Sequence, residues 1–299
     1  VEVTKYKIAD FVIELRGDSI YMDESFDLFL CNNSEKTDMI INIEEKRPFF
    51  PEYLWNKGTK IGIFHVYKKK DSIIQFFPYQ THKGVKLVEL KNDFHEVTYY
   101  LCDKMDSPFV KSIGHDVYVE SMQGVIFNLF RETFFNMILF ENAMSIHSAS
   151  VIDEDKAVVF SASSGTGKST QANMWNRVLG CEVLDGDVTV CREIDNKLYV
   201  YGLPWCGSSG QFVNKKVELG AIVFLKQAKE NNARIPSLKE KIGYVFSSTF
   251  SETWDEEMAN RRAKITENII KKAKIIEYSC NMDESAVAIL KEFLRNSEY

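Results

Sequence analysis

Phe160-Ser161-Ala162-Ser163-Ser164-Gly165-Thr166-Gly167-Lys168-Ser169-Thr170 is the stretch that decides how this 299-residue chain is read. Two glycines spaced around a threonine, then Lys-Ser, form a phosphate-binding loop. Gly165 and Gly167 allow turns that a side chain would obstruct, so backbone N–H groups can point inward at an anion. Lys168 brings a point charge to the β- and γ-phosphates, and the Ser169 hydroxyl is a donor for Mg²⁺. Residues Ser163 to Thr170 are thus the expected nucleotide-binding set. The flanks agree with this. Ala157 to Phe160 is a short apolar run of the kind that makes a buried strand, and Thr170 to Trp175 continues as helix. A helix N-terminus after the loop adds partial positive charge. Ala162 stands where the loop usually has glycine.

A nucleotide loop of this kind needs a carboxylate for its metal. Val183-Leu184-Asp185-Gly186-Asp187 closes the next apolar strand, and Asp187, or less directly Asp185, is placed to hold Mg²⁺ opposite Ser169. His147 lies in Ser145 to Val151, the strand expected to pair with the one feeding the loop. That position is compatible with a place beside the transferred phosphoryl group and equally with a packed structural histidine. Pro204-Trp205-Cys206-Gly207-Ser208-Ser209-Gly210 is a second small-residue loop, read as a surface loop with one packed tryptophan.

Composition narrows the classes. With 45% hydrophobic and 27% charged residues, the chain is expected to be globular and soluble. A net charge of −6 and the lack of a basic stripe argue against nucleic acid as a partner. The greasiest stretch, Met122 to Phe140, contains Arg131 and Glu132, so it is read as a buried helix and not as a membrane span. Six scattered cysteines without a C-x-x-C pair fit reduced thiols and a cytoplasmic location, and no metal-ligand spacing appears among the five histidines. Val1 to Lys7 has no apolar signal region.

Outward from the loop, the chain reads as two domains, 1–112 and 113–299. The first is β-rich and mostly antiparallel, with strands expected at Tyr6 to Leu15, Asp27 to Cys31, Asp38 to Ile43, Ile61 to Tyr67, Ser72 to Phe77, Val85 to Leu90 and Glu96 to Cys102. Asp103 to Gly114 reads as a linker. The second is α/β, a mixed sheet with flanking helices. After the buried helix come strands at Ser145 to Ile152, Ala157 to Phe160, Cys181 to Leu184, Val188 to Cys191, Lys197 to Tyr201, Ala221 to Leu225 and Ile275 to Tyr278. Helices are expected at Ser237 to Phe246 and Asp255 to Lys272, with Asp283 as N-cap of a last one. An exposed edge of the first domain is a candidate place to hold a peptide by strand addition.

Taken together, His147-Ser148-Ala149-Ser150-Val151, the loop, Val183 to Asp187 and Tyr201-Gly202-Leu203-Pro204-Trp205-Cys206-Gly207 resemble the HPr kinase and phosphoenolpyruvate carboxykinase superfamily. Within it they are similar to the HPr-kinase-like proteins that modify ribosomally made (lasso-type) peptides, as is the ending Tyr278 to Val287. The resemblance covers about Glu120 to Phe293. It implies a P-loop kinase core, ATP and Mg²⁺, and transfer of the γ-phosphoryl to a serine-type hydroxyl of a peptide or small protein. It implies roles for Lys168 and Ser169 as loop lysine and metal hydroxyl, for Asp187 as a metal-binding acid, and for His147 beside the phosphoryl site, with Asp185 or Asp187 as the base. The chain departs from the family at Gly186, where HPr kinases carry the first of two adjacent aspartates, and at Thr170, where an acidic residue is usual. Two other readings stay open: an HPr(Ser) kinase/phosphorylase, and a nucleotide-binding regulator without transfer chemistry. A homo-oligomer is compatible with the sequence.

Overall fold

Along Glu96–Leu101, Val97, Tyr99 and Leu101 are buried while Glu96, Thr98 and Tyr100 are more open. This period of two is what a half-covered sheet requires. The computed structural model describes residues 2–18, 22–44, 57–61, 64–76, 85–101, 109–113, 116–120, 122–251, 253–254 and 256–296. The chain divides into two compact units, Val1–Met137 and Ile138–Tyr299.

The first unit comprises β1 (Val3–Ile8), β2 (Phe11–Arg16), β3 (Met39–Glu44), β4 (Thr59–Ile61), β5 (Phe64–Lys68), β6 (Ser72–Phe76), β7 (Val85–Lys91), β8 (Glu96–Leu101), β9 (Phe109–Ile113), β10 (Asp116–Glu120) and most of α1 (Met122–Phe140). Its main sheet runs β1-β2-β3-β8-β7-β6-β5-β4. Among the described residues only β2–β3 and β3–β8 pair in parallel, so the sheet is mostly antiparallel. Four expectations are corrected here. Ile61 to Tyr67 is not one strand: Ile61 ends β4 and pairs antiparallel with Phe64 at the start of β5. Tyr6 to Leu15 is a hairpin, because Ala9 and Asp10 turn the chain at φ 52° and 65°. Asp27 to Cys31 is not a strand: Glu24–Phe29 is a 3-10 helix, capped by the Asp23 carboxylate on the Ser25 N–H. Its three-residue period sends both Phe26 and Phe29 inward. Within the expected linker, Phe109–Ile113 forms a hairpin with Asp116–Glu120, while residues 103–108 and Gly114 lie outside the described residues. The first-unit part of α1 packs through Phe130, stacked on Phe26 at 5.2 Å, and Phe134, edge-on to Phe11 at 6.1 Å.

The second unit carries the phosphate loop. Its elements are β11 (Ala143–Asp153), β12 (Lys156–Ser161), α2 (Lys168–Leu179), β13 (Glu182–Asp185), β14 (Val188–Ile194), β15 (Lys197–Tyr201), β16 (Lys216–Gln227), β17 (Asn232–Arg234), α3 (Leu238–Ser247), α4 (Glu256–Lys272), β18 (Ile275–Cys280) and α5 (Ser285–Asn296). The three strands β12, β16 and β18 run parallel and adjacent. Around them β11, β14 and β15 are antiparallel, and the pairings close a circuit from β11 through β12, β16, β15 and β14 back to β11. One face of the parallel strands presents Val158, Phe160, Val223, Leu225 and Tyr278 to Trp175 of α2 and Leu290 of α5. The Phe160 and Trp175 rings meet edge-on at 5.6 Å, so the helix after the loop is held to the strand before it. On the opposite face, Tyr244 of α3 stacks on Phe224 at 4.9 Å. A capping box fixes the start of α3: Ser237 accepts from the Glu240 N–H, and the Glu240 carboxylate accepts from the Ser237 N–H. Asp283 accepts from the Ser285 N–H at 2.9 Å ahead of α5. Among the described residues no helix is long and apolar enough to cross a membrane.

Candidate functional site

Parallel strands place their carboxyl ends together, and ligands bind where those ends open. The phosphate loop leaves the end of β12 here. Gly167 ends it at φ +114°, a conformation that L side chains rarely adopt, and a Cβ there would stand 2.7 Å from Met282 Cε, just past β18. Gln227, the last residue of β16, donates to the Gly165 and Thr166 carbonyls at 3.4 and 3.3 Å. The loop carbonyls are therefore tied to the neighbouring strand. The first N–H groups of α2 have no acceptor within the helix, and its dipole favours negative charge at that end. Ala162, at the position usually held by glycine, packs its methyl against the core around Phe160 and Trp175. Ser163, Ser164 and Gly165 are exposed along the loop, and Ser169 and Thr170 are exposed on the first turn of α2.

Lys168 is buried, and its ammonium donates to the Ala162 carbonyl at 3.4 Å. Burial holds its pKa below the ordinary 10.5, and the charge of Asp187 opposes that fall. Asp187 also faces His147: Nε2 lies 3.6 Å from Oδ1, and each side chain is 28% exposed. That is ion-pair range for a protonated imidazole and too long for a hydrogen bond. Register explains the meeting. β11 pairs β14 with His147 opposite Val188, and the Ser148 N–H donates to the Asp187 carbonyl at 2.9 Å. The Ser161 hydroxyl, at the root of the loop, donates to the His147 carbonyl at 2.8 Å.

Asp185 is placed differently. It is fully buried, its Oδ1 accepts from the Asp187 and Val188 N–H groups at 2.9 and 3.0 Å, and its Oδ2 accepts from the Leu203 N–H at 2.9 Å. Burial pushes its pKa well above the usual carboxylate value, against the pull of those three donors. Asp185 therefore shapes the turn that carries Asp187 and does not itself reach open space. Gly186 has a steric reason: a Cβ there would lie 1.9 Å from Ser209 Oγ. On Gly207 it would lie 2.8 Å from Asp187 Cγ. The 204–210 loop thus presses on the Asp185-Gly186-Asp187 turn, with Trp205 fully buried beneath it. An aspartate at 186 has no room. The sequence reading treated this loop as surface and passed over Gln227, although the end of an apolar strand in an α/β sheet is a signal for such a residue.

The five described cysteines are free thiols, and Cys102 lies outside the described residues. No protein-family model matches the chain, and neither does any curated protein. Among solved structures the chain is similar to the HPr(Ser) kinase/phosphatase from Coxiella burnetii, at 12% identity, over 51% of this chain and 99% of that one, with a TM-score of 0.29. A score that low carries no argument, and the reading of the site stands on its residues.

Proposed function

We propose that the chain is an ATP-dependent phosphotransferase acting on a serine-type hydroxyl of a peptide or small protein, with a ribosomally made precursor peptide as the first acceptor class to test. The observation that carries this reading is the approach of His147 Nε2 to Asp187 Oδ1 at 3.6 Å beside a strand–loop–helix turn whose buried Lys168 ammonium feels the charge of Asp187. The loop N–H groups and the α2 N-terminus bind the triphosphate, and Lys168 neutralises charge on its terminal groups. The acceptor oxygen forms a bond to the γ-phosphorus, and the bond from that phosphorus to the bridging oxygen breaks, its electron pair leaving with ADP. Asp187 is the group on hand to take the hydroxyl proton. His147 lies beside that carboxylate, within ion-pair range. Asp185 keeps the turn in place.

Ser169 and Asp187 are hard oxygen donors of the type that suits Mg²⁺ alongside nucleotide phosphates. Among the described residues no group of three or more His, Cys, Asp or Glu is placed to hold an ion by itself, which fits a cation shared with the nucleotide. When bound, such an ion spreads the charge of the β- and γ-oxygens. Most of the acceleration comes from positioning and electrostatics.

The test is intact mass of candidate acceptors (a precursor peptide, HPr and the chain itself) after incubation with ATP and Mg²⁺. The expected result is a gain of about 80 Da, one phosphoryl group, on the peptide with the wild type and none with Lys168→Ala. A gain on HPr alone makes the chain a regulatory kinase. Bound ATP with no gain on any acceptor contradicts the transfer reading.

A further inference from the structure

Residues 246–251, which run from the last turn of α3 into the chain after it, touch His147 through Ser248 and Phe250. The Ser248 carbonyl accepts the His147 N–H at 2.6 Å, and the Phe250 ring packs on the imidazole at 4.8 Å between centroids. The segment is also fastened to β11 through Ser145, whose hydroxyl accepts the Phe250 N–H at 3.3 Å and meets the Thr249 hydroxyl at 3.3 Å. One side chain from another helix holds both ends of this segment. Arg262 of α4 donates through one terminal nitrogen to the Phe246 carbonyl and through the other to the Ser251 carbonyl at 3.4 Å. Its guanidinium lies 3.8 Å above the Phe246 ring. Its Nε is buried and has no hydrogen-bond partner among the described residues.

A cation at the last carbonyls of α3 is favourable electrostatically. A planar fork can hold two carbonyls and stack on a ring at once, which an ammonium cannot do. Burying such a group costs stability unless its bonds are kept. Arg262 is therefore a strong constraint on where residues 246–251 sit, and that segment supplies one wall of the His147 imidazole.

We propose that Arg262 is a positioning residue for His147, acting through the Phe246–Ser251 clamp. The inference rests on the reading of His147 as part of the transfer site. It requires no contact between Arg262 and the nucleotide.

The experiment follows the His147 ring resonance by NMR in the full chain, assigned by its loss in His147→Gln, together with transfer kinetics and ATP affinity. Arg262→Gln is expected to move the His147 resonance and to lower kcat by about tenfold, a fraction of what a misplaced catalytic geometry can cost. ATP affinity should stay within about twofold, as expected when ground-state binding is untouched. Arg262→Lys should rescue little, because an ammonium cannot hold both carbonyls in a planar fork while stacked on the Phe246 ring. If Arg262→Gln does not fold, Phe246→Leu removes only the stacked ring and should move the same resonance by less. An unmoved resonance in a folded variant overturns the proposal, as does a fall in ATP affinity that matches the fall in kcat. If the wild type transfers no phosphoryl group, the proposed function fails, and the resonance still decides whether Arg262 positions His147.

Discussion

In the first unit some buried polar groups pair inside the sheet and its helix, while the buried amide of Asn136 has no hydrogen-bond partner among the described residues. The Tyr99 hydroxyl meets Thr133 at 2.6 Å, and Lys5 sits between the Glu35 carbonyl at 2.7 Å and Glu14 at 3.4 Å. In the second unit, Ser148, Ser161, Lys168 and Asp185 are buried together at the end of the sheet where the phosphate loop leaves β12. Burying polar groups is costly unless they are satisfied, so a fold that needs only a core scatters and pairs them. A fold that gathers them around a glycine-built turn is spending stability on a site. The difference is one of grouping: the second unit collects these buried polar groups at one end of its sheet, where the proposed site lies.

The comparison breaks most visibly at Trp175, which is fully buried between α2 and β12. Trp175→Ala should cost about 3–5 kcal/mol in urea unfolding and abolish nucleotide binding, because it frees the helix that ends the loop. Binding retained at wild-type affinity would show that the cradle does not depend on this packing. Gly186→Asp, which drives a side chain against Ser209, should cost about 1–3 kcal/mol through overpacking. Ser209→Gly in the same chain should recover part of that, since Ser209 is the atom group in the way. No recovery would mean that the 204–210 loop is not what excludes a side chain.

A smaller effect concerns Asp185. Burial raises its folded pKa above the unfolded 3.8, so the folded state holds a proton that the unfolded chain releases. Its stabilising contribution is complete below the unfolded value and is lost as pH rises through the folded one. Asparagine resembles the protonated acid and does not titrate. Stability of Asp185→Asn relative to wild type should therefore rise with pH across that window, and a difference independent of pH would rule out burial as the dominant influence. Smallest is Tyr99→Phe in the first unit, which removes one buried hydrogen bond worth about 1 kcal/mol and should leave nucleotide affinity unchanged. A loss of affinity would put part of the site's support in the first unit.

What the sequence made legible was local. The strand–loop–helix order around Lys168 follows from an apolar run, two glycines and a helical continuation, all within one window. The strand holding His147 and the hairpin of β14 and β15 were readable for the same reason. Long-range geometry was not. Nothing near Asp185 and Asp187 says which carboxylate turns inward; that is settled by the N–H of Leu203, distant in the chain. The need for glycine at 186 is set by Ser209, and the wall of His147 by Phe250 and Arg262. In the first unit, the strand expected at Asp27 to Cys31 failed because a three-residue period capped by Asp23 outweighed the apolar run. The strand inside the expected linker, Phe109–Ile113, was hidden by the charges and proline around it.

The central claim is that the turn at Ser163–Ser169 is a phosphate cradle whose charge is Lys168. Calorimetric titration with ATP and Mg²⁺ tests it most directly, on wild type and Lys168→Ala, each checked for an unchanged near-ultraviolet circular dichroism spectrum. The account predicts saturable one-site binding by the wild type and its loss in the variant. Equal binding by both, or none by a folded wild type, would contradict it.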